Sequence, residues 1–185
     1  MHAYRDVGEI PKNLTANPDP AKRILLERLP LLLRGYGKIP GVDAVLVVLD
    51  ADNRNCVDFL SELTTEAESC APALKTMFRL AIEEIEAWYL GDRDALREAY
   101  RRANTKVLDG YIQDSACRTW ELLADALHSD GSAGIEKTGW PLPGQIKHAW
   151  AEKIGPLLDP THNASPSFGK LRDGVRRLVV EADQG

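Results

Sequence analysis

Two short apolar segments, each closed by acids and separated by a helical stretch, constrain this fold most. A strand is expected over residues 43–49, where AVLVVL at 44–49 is uncharged and half valine. So continuous an apolar run predicts a strand buried on both faces, as in a parallel sheet. TMFRLAI at 76–82 predicts a second strand. Between them, residues 56 to about 67 read as a helix with Val57, Leu60 and Leu63 on its inner face. Parallel strands need such a crossover.

The remaining periodicities are helical. AKRILLERLPLLLR at 21–34 predicts a helix with Ile24, Leu25, Leu29 and Leu32 inward, kinked or split at Pro30. RDALREAYRRA continues as a helix to about 103. Trp120, Leu122, Leu123 and Leu127 suggest one more, followed by a GSAG…GWPLPG loop. QIKHAWAEKIGPLL and FGKLRDGVRRLVVEA read as two further helices, the last with Phe168, Leu171, Val175 and Leu178 inward. The first residues, including HAYRD, suggest a short strand. The expected architecture is α/β: a core over 1–103 and a mostly helical extension over 104–185, packed on the same core.

Composition excludes several classes. The 185 residues carry a net charge of −5, so nucleic acid would need a local basic patch or cations. Cys56, Cys70 and Cys117 form no CxxC pair, and the four histidines are scattered; reduced thiols and a cytoplasmic location are expected, and a zinc cluster is not. No apolar run approaches the roughly 20 residues of a membrane span. P-loop, GxGxxG and Gly-x-Ser-x-Gly motifs are absent.

Chemistry concentrates where the strands end. Asp50 and Asp52 follow the first, at the carboxyl edge where open parallel sheets bind ligands. Residues i and i+2 of a strand share a side, and two adjacent carboxylates call for a cation. Hard oxygen ligands suit Mg²⁺ or Mn²⁺. DADNRN is equally good turn and N-cap chemistry. The second strand repeats the device with Glu83, Glu84 and Glu86, then Trp88. In extended backbone Glu84 and Glu86 face one way; in a helix Glu83 and Glu86 do, favoured by its positive N-terminus. Neighbouring strands lie about 4.8 Å apart, so four carboxylates could converge on one metal. Arg93, Arg97 and Arg101 at i, i+4 and i+8 would form a basic strip able to follow a phosphate backbone, or a solvated face paired with Asp94 and Glu98. The last helix also carries Lys170, Arg172, Arg176 and Arg177. Trp88 reads as core or as a lid over the acids, or as a platform for a base; Ser165 and Ser167 in NASPSF could bind phosphate, with Ser167 also reading as the N-cap of the last helix.

VVLDADNRNC, AIEEIEAWYLGD, KHAWAEKIGPLLDP and NASPSF, in this order, resemble a bacterial family of small TOPRIM-like proteins of unknown function. Its members are often encoded beside ABC- or AAA-type ATPases in apparent phage-defence loci. The resemblance covers about residues 20 to 180. It implies a TOPRIM-like sheet and a Mg²⁺- or Mn²⁺-dependent nuclease of the OLD type, working with an ATPase partner; a homodimer stays open. The family's Asp-x-Asp matches Asp50 and Asp52, its later acid-x-acid matches Glu84 and Glu86, and its lysine at the scissile phosphate matches Lys147, with Lys137 and Lys153 as alternatives. The glutamate that ends the first TOPRIM strand has no match: Glu9 lies in VGEIP, and the chain reads as starting at the second strand. Without that glutamate the alternative is a degenerate module that docks on an ATPase and does no chemistry. A phosphatase or nucleotidyl transferase acting on a small molecule would use the same acids.

Overall fold

The computed structural model describes residues 4, 6–15, 17–115, 118–139 and 141–184. Among them the chain is α/β, with a small two-stranded parallel sheet and helices throughout. It divides into two compact units: residues 1–49, 54–80 and 176–185 form one, and 50–53 with 81–175 the other. The boundary expected at 103/104 falls inside the second unit.

In the first unit, helix α1 (Leu25–Tyr36) buries Leu26, Leu29, Pro30 and Leu33. The expected inner face is correct at Leu29; Ile24, Leu25 and Leu32 are half-buried. Pro30 does not split α1: the helix is continuous and the proline is fully buried in its interior. Burial of three leucines offsets the hydrogen bond that proline forfeits, a penalty of about 3 kcal/mol. Ahead of α1, Asp6 and Ile24 form an isolated parallel bridge. His2, Ala3 and Arg5 of the expected HAYRD strand lie outside the described residues.

Strand β1 (Ala44–Asp50) and strand β2 (Lys75–Ala81) form the sheet, joined through helix α2 (Cys56–Cys70). Only Val47 and Leu49 of β1 are buried, and Leu46 is exposed. The strand covered on both faces is therefore corrected: in a two-stranded sheet the alternate face has little to pack against. The inner face of α2 consists of Phe59, Leu63 and Ala67, with Glu66, while Val57 is 76% exposed. Asn55 caps α2, its Oδ1 accepting from the amides of Val57 and Asp58 at 2.9 and 3.2 Å. The Cys70 thiol donates to Glu66 Oε1 at 2.9 Å, and burial with that bond pushes it up to about 11, an inert thiol. Cys117 lies outside the described residues.

The second unit is helical around its own core. It contains α3 (Glu86–Leu90), α4 (Arg93–Ala99), α5 (Thr105–Asp109), α6 (Thr119–Leu127), α7 (Gly131–Thr138), α8 (Leu142–Ile154) and a 3-10 turn over Gly155–Leu157. Leu90, Leu96, Leu108, Leu123, Ile135 and Ile154 are fully buried in that core. The loop expected across GSAG is helix α7: Ile135 packs into the core, and packing overrides the two glycines. The single helix expected to about 103 ends at Ala99; Tyr100 leaves helical geometry, at φ −133° and ψ 81°.

The last helix, α9 (Pro166–Ala182), begins in the second unit and ends in the first. Its cap is Ser165, whose Oγ accepts from the Phe168 amide at 3.2 Å; Ser167 lies inside the helix. The expected inward stripe is corrected too: Phe168, Leu171 and Leu178 are half-buried, Val175 is exposed, and the buried positions are Ser167 and Gly174. No helix among the described residues is long and apolar enough to cross a membrane.

Candidate functional site

The acids at the strand ends meet within the second unit. Backbone pairing continues past both strands, with Ala51 N–H donating to Ala81 O at 3.0 Å and Asp52 N–H to Glu83 O at 2.9 Å. This pairing brings the segment after β1 alongside the segment after β2. The latter turns at Glu83, at φ 60°, and enters α3 at Glu86. Glu84 therefore lies in a turn and Glu86 in the first turn of a helix, so neither regular geometry weighed from the sequence describes both.

Each acid has a distinct environment. Asp50 Oδ1 accepts from the Ile85 amide at 2.9 Å, locking the end of β1 to the turn that carries the glutamates. Glu86 is 4% exposed. Glu84 uses both oxygens: Oε1 accepts from Lys147 Nζ at 2.7 Å and Oε2 from the Trp120 amide at 3.2 Å. Lys147, from α8, also lies 3.4 Å from Glu86 Oε1 and 5.7 Å from the centre of the Trp120 ring. Of Lys137, Lys147 and Lys153, Lys147 is the one whose pairing with Glu84 and Glu86 the structure shows.

Electrostatics set the protonation of the cluster. Burial pushes the Asp50 carboxyl up to about 7, helped by the charges of Glu86 and Glu84 and opposed by Lys147 and the Ile85 amide. Burial likewise raises Glu86, against the pull of Lys147. The two glutamates hold Lys147 above the usual ammonium value despite its desolvation. Burial, then Glu86 and Asp50, push the Tyr89 phenol up to about 12. Fully ionised, three carboxylates against one ammonium leave two negative charges uncompensated in a half-buried site.

The other expected residues are placed differently. Asp52 is exposed in a turn, at φ 48°, beyond the end of β1. Strand alternation therefore does not aim it with Asp50. Glu83 is structural: its Oε2 accepts from the Thr119 amide at 2.7 Å and its Oε1 from the Arg118 amide. Arg118, in left-handed geometry, gives α6 no side-chain cap, so Glu83 supplies that cap from 36 residues away. Trp88 is core, donating through Nε1 to Ser167 Oγ at 2.9 Å and meeting the Phe168 ring edge-on at 5.5 Å. Ser165 and Ser167 already face a carboxylate, with Asp114 accepting from Ser165 Oγ and the Ser167 amide at 3.1 Å.

The basic strip does not form on one helix. Arg93 is half-buried, its guanidinium 5.6 Å from the centre of the Tyr111 ring. Arg97 pairs with Asp94 at 3.5 Å and Asp109 at 3.4 Å. Arg101 is exposed beyond the end of α4. Sequence reasoning missed Asp92, a buried acid whose Oδ1 caps α4 through Ala95 and whose Oδ2 accepts from the Asp159 amide at 2.8 Å. The Asp-x-x-Ala spacing at a helix start could have signalled the first of these bonds.

Hard divalent ions take carboxylate oxygens, the groups that Asp50, Glu84 and Glu86 carry. Among the described residues no group of three or more histidine, cysteine or acidic side chains is placed to hold a metal ion. The ammonium of Lys147 stands between Glu84 and Glu86. No family model, curated protein or solved structure matches the chain.

Proposed function

We propose that Asp50, Glu84, Glu86 and Lys147 form the centre of a Mg²⁺- or Mn²⁺-dependent phosphodiester-cleaving site of the TOPRIM-like, OLD-nuclease kind. The observation that carries this reading is the pairing of Glu84 and Glu86 with Lys147 beside Asp50, whose carboxyl feels all three charges. Asp50, Glu84 and Glu86 would hold the ion, with exposed Asp52 at the border of the site. When bound, the ion supplies a Lewis acid for a phosphoryl oxygen. Lys147 offers positive charge to the phosphate as charge builds on it. The Ile85 and Trp120 amides fix Asp50 and Glu84, so two of the acids are oriented before substrate arrives. Nucleic acid as substrate, an ABC- or AAA-type ATPase partner, a role in phage defence and a cytoplasmic location belong to the same proposal through the sequence resemblance.

A second reading has an observation of its own. Lys147 and the Trp120 amide already give each Glu84 oxygen a partner, as in an ion pair retained for structure. This is the expected condition of a degenerate module. Calorimetric titration with Mn²⁺ separates the two: wild type should bind, and Asp50→Ala/Glu86→Ala should lose the heat. A folded wild type that binds no Mn²⁺ would favour the module.

A further inference from the structure

We infer that Lys147 is a resident counter-cation, seated between Glu84 and Glu86 until a divalent ion displaces it. The inference rests on the metal-dependent reading and specifies how such a site would be filled. Glu84 Oε2 accepts from the Trp120 amide at 3.2 Å, while Oε1 carries Lys147 Nζ at 2.7 Å. The same ammonium lies 3.4 Å from the more deeply buried Glu86. An ion that bridges these two Oε1 atoms must therefore take the place of the ammonium. Two cations cannot share so small a space without strong repulsion.

The lysine has the means to yield. Its side chain is 35% exposed and its stem flexible, so the head group can move toward water. The Trp120 ring, 5.7 Å from Nζ, offers a cation–π seat beside the carboxylates. Without metal the arrangement limits repulsion among buried Glu86 and half-buried Asp50 and Glu84. With metal the freed ammonium would stand next to the ion, where a phosphate would lie.

The test compares Mn²⁺ binding by the full chain as wild type, Lys147→Met and Lys147→Arg, read by calorimetry. Lys147→Met, which fills similar volume without charge, should bind at least about tenfold more tightly, since a competing cation is gone. Lys147→Arg should bind no more tightly than wild type. In wild type, Mg²⁺ should shift the Trp120 indole N–H resonance, assigned by its loss in Trp120→Phe; in Lys147→Met that shift should shrink. If Lys147→Met is unfolded without metal, Lys147→Gln takes its place. Equal or weaker binding by the lysine-free variant overturns this inference and leaves the metal site standing. Absence of Mn²⁺ binding in every folded form overturns the metal reading and this inference with it.

Discussion

At the scale of single residues, one buried acid governs the electrostatics of the site. The Asp50 carboxyl is raised from 3.8 to about 7, first by desolvation and then by Glu86 and Glu84. The folded state thus binds this proton more tightly than the unfolded chain does. Its stabilising effect is complete below about pH 4, falls as pH rises toward 7, and is lost above it. The full swing is on the order of 4 kcal/mol, an upper bound because solvent relaxation reduces it. In metal-free buffer, Asp50→Asn should flatten the pH dependence of stability between pH 4 and 8 and stabilise the protein at pH 8. Urea unfolding with EDTA at several pH values checks this, and an unchanged slope would mean that Asp50 is well solvated. Residue types alone located this acid. Its neighbours came from further along the chain: the Ile85 amide and Lys147, one 35 positions away and the other on α8.

At the scale of elements, helix ends depend on distant acids. α6 starts at a left-handed Arg118, and Glu83 accepts the free amides of Arg118 and Thr119. Glu83→Ala should cost about 1–2 kcal/mol, as losing a helix cap does, and Glu83→Gln less. Chemical denaturation at neutral pH checks this. Equal stability of Glu83→Ala and wild type would show that water replaces the carboxylate. No local pattern announces a cap supplied from another element. Where caps are local the sequence is readable: Asn55 ahead of α2 and Asp92 ahead of α4 stand where short polar side chains serve helix starts. NASPSF signalled a helix start correctly but the cap is Ser165, two residues before the expected Ser167, because Pro166 occupies the first helical position, which it favours.

At the scale of the whole molecule, the two units bury some of the side chains expected from hydrophobicity and expose others. Leu63 and Leu123 are fully buried, one in each unit, whereas Val57 is 76% exposed. Leu63→Ala and Leu123→Ala should each cost about 2–5 kcal/mol. Val57→Ala should change stability by less than about 0.5 kcal/mol. Thermal unfolding of the three variants decides the point; a large loss for Val57→Ala would restore the inner face expected from the sequence. An error of one position in helical phase is enough to exchange such faces, because neighbouring residues sit about 100° apart around the axis.

By itself the sequence determined the α/β class, β1 and β2 to within one residue at each end, the helix between them, and the acids that close both strands. Each of these follows from local periodicity and from where an apolar run meets charge. The tertiary structure alone decided that β1 has one covered face, that GSAG is helical, that Glu83 caps α6 while Glu84 and Glu86 hold Lys147, and that Asp52 is exposed in a turn beyond β1. The reason is physical. Packing partners, distant amides and counter-charges determine burial and side-chain direction, and a linear pattern does not contain them.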